Sequence, residues 1–146
     1  MSQAASINDR FEHTSDPTSA ITGAAAAAGR LMLSAIFLLS AASKLAAPSL
    51  TIGYIASVGT PLPEVAYGLA VFVELVGGLA LVAGYRTRLI ALALAGFSIA
   101  TAVMFHNQLS DQNQFIHFFK NVAMAGGLMQ VAAFGAGRFS LDARLR

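Results

Sequence analysis

The sequence predicts an all-α fold, an integral membrane four-helix bundle with both chain ends on the cytoplasmic side and a short interfacial segment between helices 1 and 2. Three observations predict it. The chain of 146 residues is 56% hydrophobic and 11% charged, with a mean hydropathy of +0.66. Of its nine basic and seven acidic residues, half lie in the first 20 and last 9 positions, leaving an apolar middle. That middle has length for about four crossings at roughly 20 residues each. Finally, Arg10, Arg86, Arg88, Arg138, Arg144 and Arg146 fall on one side of the predicted crossings, whereas the two opposite connections contain no Lys or Arg. By the positive-inside rule the arginine side is cytoplasmic. Such a composition excludes a soluble nucleic-acid binder, and the +2 net charge reports topology.

Residues 1–20 are polar, of mixed charge and without apolar period, and read as a disordered cytoplasmic tail. A transmembrane domain is expected over 21–137. Helix 1, at about 24–47, opens on a run of alanines and stops at Pro48. Residues 49–63 are too short to span and are expected at the interface, as a short helix or lid. Helix 2, at about 64–84, has proline at its entry and Gly84 at its exit. The Tyr85-Arg86-Thr87-Arg88 turn leads to helix 3, at about 89–105, and the polar stretch 106–114 leads to helix 4, at about 115–134. Gly135-Ala136-Gly137 ends that helix before a basic cytoplasmic tail, 138–146. Val73–Leu79 and Val122–Leu128 form a weak internal repeat, and the Gly77-Gly78 and Gly126-Gly127 pairs in it are expected to let helices approach closely.

Polar residues within the apolar middle are the candidates for chemistry. Glu74 lies near the centre of helix 2, where a carboxylate must be neutral, paired or beside water. Arg30, on helix 1, is its expected partner, and the two form either a register-fixing ion pair or a proton site. Lys44, on the same face of helix 1, is expected to extend its ammonium outward to the interface. In helix 4, His117, Lys120, Asn121 and Met124 follow i, i+3, i+4, i+7 spacing and share a face. With Lys44 and His106 they form a candidate polar pocket beneath the 49–63 segment, suited to an anion or a quinone carbonyl. Cysteine is absent, and His13, His106 and His117 have no metal-binding spacing, so no metal and no resident cofactor are expected.

Taken in order, several short motifs resemble the DoxX family of small bacterial membrane proteins. They are Gly29-Arg30-Leu31, Ile36-Phe37-Leu38 and Ser43-Lys44-Leu45, then the Gly59–Pro63 turn, Glu74 with Gly77-Gly78-Leu79, and Gly84-Tyr85-Arg86-Thr87-Arg88. Lys120-Asn121, Gly126-Gly127-Leu128 and the closing Gly135–Asp142 run complete them, so the resemblance covers roughly residues 26–144. It implies a four-helix protein of the bacterial inner membrane. Relatives are linked to thiosulfate:quinone oxidoreductase and to redox complexes with soluble partners. The function this implies is a membrane subunit of a quinone-linked oxidoreductase complex. A proton-coupled small-molecule transporter using Glu74 and a non-catalytic membrane scaffold are the alternatives. Soluble or membrane redox proteins are the partners the resemblance implies; the composition adds the lipid bilayer, and the paired-glycine helix faces allow a second copy of the chain.

Overall fold

A computed structural model describes residues 17–145, and among them there is no β-strand. The helices are α1 (Pro17–Ala46), α2 (Pro48–Ser57), α3 (Pro63–Ala83), α4 (Thr87–Phe105), α5 (Gln112–Phe134) and α6 (Leu141–Arg144). The tail expected over 1–20 lies outside the described residues up to position 16, and from Pro17 onward the chain is already helical. Pro17, Pro48 and Pro63 each stand first in a helix, where a missing N–H costs nothing and the fixed φ is helical.

Pro48 interrupts what would otherwise be one long helix. Having no N–H, it leaves the Lys44 carbonyl four residues earlier without a helical donor, and α2 starts there, with the Ala47 carbonyl accepting from both the Thr51 amide (3.1 Å) and the Thr51 hydroxyl (3.0 Å). The α3–α4 turn closes on Gly84 in the left-handed region, with the Tyr85 amide donating back to the Ala80 carbonyl at 3.0 Å. Helices α4 and α5 both begin earlier than their apolar pattern suggests, because carboxylates cap them. The Asp142 carboxylate accepts from the Arg86 and Thr87 amides at 2.7 and 2.8 Å, and Asp111 accepts from the Gln114 amide at 2.9 Å. The basic tail expected after 137 is likewise structured: Ser140 caps α6, and the Asp142 amide donates to the Gly84 carbonyl at 2.9 Å.

α1 packs antiparallel along α3, α4 packs antiparallel along α5, and α3 against α4 joins the two hairpins. The core is small: Phe37, Leu81, Ala91, Leu94, Ala95, Ala125 and Leu128. Met32, Phe72, Leu92 and Met129 instead face outward and are exposed. An apolar exterior around saturated helix backbones is what a bilayer accepts and water does not. Among the described residues, three helices are long and apolar enough to cross a membrane: Ala20–Ala46, Pro63–Ala83 and Thr87–Phe105. α5 has the length, at 23 residues, but its first half carries Gln112, Asn113, Gln114, His117, Lys120 and Asn121.

The paired glycines receive side chains rather than backbones. A Cβ on Gly77 would lie 2.8 Å from Leu94 Cδ2, and one on Gly78 would lie 2.8 and 2.9 Å from Leu38 Cδ2 and Cγ. Gly127 takes Leu33 at 3.3 Å, whereas Gly126 has nothing within 4 Å. Gly78→Ala should therefore lower stability in detergent by about 1–3 kcal/mol through overpacking. Gly126→Ala should be neutral or gain up to about 1 kcal/mol from helix propensity. Thermal unfolding of the two variants, followed by helical circular dichroism, makes the comparison.

Candidate functional site

Toward the end of the bundle where α2 lies, α1–α5 surround a cavity of about 760 Å³. Ile36, Leu69, Phe97, Met104 and Met124 supply apolar wall, and the polar lining comes from all five helices or their ends. Ser40 and Lys44 enter from α1, Tyr54 from α2, Glu74 from α3, His106 from the end of α4, and His117, Lys120 and Asn121 from α5.

Its floor is an ion pair. Glu74 is 5% exposed, and the Lys44 ammonium donates to its Oε1 and Oε2 at 2.9 and 3.0 Å. A third ammonium hydrogen goes to Ser40 Oγ at 2.6 Å, and the Ser40 hydroxyl donates to Glu74 Oε1 at 3.1 Å. All three lysine donors are thereby used. The Lys44 carbonyl, near the C-terminus of α1 where helix carbonyls lack partners, accepts from the Tyr67 hydroxyl at 3.2 Å.

Glu74 thus pairs with Lys44 and not with Arg30, and Lys44 turns inward instead of outward. Arg30, 2% exposed, donates to the Leu81 carbonyl at 3.3 Å and to the Phe139 carbonyl at 2.6 Å. The reason is directional. A Cβ on Gly78 would meet Leu38 and Phe37, which on antiparallel α3 puts Glu74 nearer the level of Lys44 than of Arg30, and helical side chains lean toward the N-terminus of their own helix. On α1 that lean carries Lys44 toward Glu74 and Arg30 away from it. On antiparallel α3 it carries Glu74 toward Lys44.

At the mouth, the His106 and His117 rings stack with centroids 5.0 Å apart and planes 23° apart. Their outer hydrogen bonds differ in sense. His106 Nδ1 faces the Gln114 carbonyl oxygen at 2.9 Å and must donate, whereas His117 Nδ1 faces the Lys120 ammonium at 3.0 Å and must accept. In the neutral rings this leaves an acceptor on His106 Nε2 and a donor on His117 Nε2. Asn121 donates to the His117 carbonyl at 3.0 Å, and the Tyr54 hydroxyl ties α2 to the Phe105 carbonyl at 3.2 Å. His117 and Lys120 at the mouth are exposed, whereas Glu74 at the floor is buried.

The structure therefore brings Lys44, His106, His117, Lys120 and Asn121 to one cavity with Glu74, and leaves Arg30 outside it. Ser40 and Tyr54, which line the cavity, and Tyr67, which holds the Lys44 carbonyl, are not among the site residues expected from the sequence. Ser40 could have been, being four residues before Lys44 on one helix face. The two tyrosines carry no such signal, since their partners are carbonyls in other helices. Among the described residues no three His, Asp or Glu side chains are grouped as a metal site would require.

The family model described as DoxX matches residues 25–107. The chain belongs to the DoxX family. Inner membrane protein YqjF of Escherichia coli (strain K12) is 32% identical over 116 residues, 77% of this chain and 85% of the relative. Inner membrane protein YphA of the same organism is 32% identical over 120 residues, 79% of this chain and 86% of the relative. No solved structure matches the chain. The matched DoxX region contains Arg30, Lys44, Glu74 and His106, and ends before the α5 residues His117, Lys120 and Asn121.

The floor of this DoxX-family cavity gives a sharp expectation. Lys44→Met strands a buried carboxylate and should destabilise the protein by about 3–5 kcal/mol. Lys44→Met combined with Glu74→Leu should recover most of that loss, because neither charge is then buried alone. Unfolding midpoints of the wild type, both single variants and the double variant complete the cycle.

Proposed function

We propose that the chain is a four-crossing subunit of the bacterial cytoplasmic membrane, with both termini cytoplasmic, that binds a quinone for a redox partner protein. The observation that carries this reading is the polarity gradient of the cavity. Its interior is apolar above a neutralised Lys44–Glu74 pair, and its mouth offers the Lys120 ammonium and the His117 ring beside Asn121. A quinone has that profile, with an apolar ring and tail and two carbonyl oxygens in need of donors. The volume also falls in the usual range for a small-molecule site, about 300–1,000 Å³.

When bound, a quinone accepts two electrons and two protons. The chain has no cysteine, so the electrons come from a partner of the redox-protein class. Its own residues orient and protonate. Lys120 and His117 donate hydrogen bonds to carbonyl oxygens at the exposed mouth and take replacement protons from water. The Lys44–Glu74 pair keeps the floor electrically neutral, so that an uncharged ring is not excluded from it.

Four crossings require α5 to span, and the cavity supports this by giving the α5 polar stripe an aqueous face instead of lipid. The cytoplasmic placement of the termini rests on the arginines at 86, 88, 138, 144 and 146. The membrane assignment rests on the two Escherichia coli relatives, both inner membrane proteins by name. Glu74 is held by a lysine and a serine, which favours ligand binding over proton-coupled transport, where a coupling carboxylate must be free to exchange its proton.

Quinone should be found in organic extracts of the purified protein. A short-chain ubiquinone analogue should protect Lys120 from an amine-reactive reagent in a saturable way, read by peptide mass spectrometry. Lys120→Met should weaken quinone binding about tenfold, the worth of one hydrogen bond from a charged donor. No extracted quinone together with unchanged labelling across the titration would reject the proposal.

A further inference from the structure

A second cavity, of about 630 Å³, lies at the opposite end of the bundle, between the start of α4 and the α5–α6 connection. Arg86, Thr87 and Arg88 line it from one side and Arg138 from the other. Three arginines and one acid, Asp142, among these lining residues leave a surplus of two positive charges. The carboxylate of Asp142 is engaged by two amides, those of Arg86 and Thr87, at 2.7 and 2.8 Å. This clamp holds Arg86 in the left-handed region at φ 43, so the basic turn is rigid before any ligand arrives. Arg88 lies along Gly135, where a Cβ would meet its Nε and Nη2 at 3.6 and 3.8 Å.

Two further observations identify the ligand. Thr87 is fully buried, lines the cavity, and its hydroxyl has no hydrogen-bond partner among the described residues. A buried orphan hydroxyl is costly, and an anionic oxygen in the cavity would satisfy it. Leu89 and Phe134, which line the same cavity, are 60% and 80% exposed. A free phosphate has no use for that apolar rim, whereas a lipid does.

We propose that this cavity holds the phosphate of an anionic phospholipid, with Arg86, Arg88 and the Thr87 hydroxyl on its oxygens and its acyl chains along Leu89 and Phe134. The site is separate from the quinone cavity and stands without it. Basic pockets at helix ends on the cytoplasmic side are a known way of holding acidic head groups. What singles this one out from a merely basic membrane surface is the buried, unpartnered hydroxyl of Thr87 in its wall.

The test titrates the full-length protein in a non-ionic detergent with phosphatidylglycerol, phosphatidylcholine or sodium phosphate, counting bound lipid by native mass spectrometry. Phosphatidylglycerol should bind at least about tenfold more tightly than phosphatidylcholine, and Arg86→Gln with Arg88→Gln should cost about 25-fold, near fivefold for each arginine. Thr87→Val, which leaves the charge unchanged, should cost about tenfold, and Thr87→Ser should retain binding. In the wild type, phosphatidylglycerol should also shield Arg88 from an arginine-selective dicarbonyl, a readout that depends on no variant folding. Equal binding of the two lipids, with Arg88 labelling unchanged, overturns the proposal. So does Thr87→Val binding as tightly as wild type. Sodium phosphate that displaces the lipid and shields Arg88 at similar concentrations would reassign the cavity to a soluble anion and overturn the lipid assignment.

Discussion

Most of this structure depends on the requirement that a carboxylate inside an apolar bundle have a cation beside it. Glu74 meets it through Lys44 and Ser40, and in doing so sets the register of α1 against α3. Seven residues further along α3, Arg30 reaches the Leu81 carbonyl and pins the same two helices a second time. Two polar fasteners on one helix pair leave little freedom to slide, in a setting where helix association has no hydrophobic drive. Leucine side chains seated on Gly77, Gly78 and Gly127 then supply the close packing between the fasteners and the rest of the bundle.

The two ends of the bundle are built for different solvents and different charges. At the α2 end, cations are matched by an acid or turned to an exposed mouth, and the interior of the cavity is neutral. At the α4 start, arginines outnumber the single acid around the cavity, and that acid is occupied by backbone amides. α5 serves both ends: its first half carries His117, Lys120 and Asn121, and its last residue, Phe134, edges the basic cavity. Its mixed composition, which keeps it below the apolarity of the other long helices, follows from that double duty.

The sequence is most legible where the cause is local. Proline at helix entries, glycine at the α3 exit, and the i, i+3, i+4 stripe on α5 are all encoded within a few residues, and the polar cluster could be assembled from depth alone. Long-range capping is a different matter. Thr87 begins α4 because a carboxylate 55 residues later accepts its amide. No apolar periodicity near position 87 contains that information. Arg30 is harder still, because its partners are carbonyls, which every residue has. The exchange of Lys44 for Arg30 as the partner of Glu74 is instructive, since it turns on which residues of α1 and α3 face each other. Gly78 packs on Leu38, which sets Glu74 nearer Lys44, and the lean of helical side chains adds to it.

Arg30 also ties the beginning of the fold to its end, since the Phe139 carbonyl it holds lies 109 residues downstream. A ribosome delivers that carbonyl last. During synthesis the first helix must therefore enter the bilayer with its guanidinium short of a partner, and its insertion is completed only when the α5–α6 connection folds back onto it. At several residues per second, the interval is many seconds. Newly made chains thus pass through a stage in which Arg30 has yet to meet the Phe139 carbonyl.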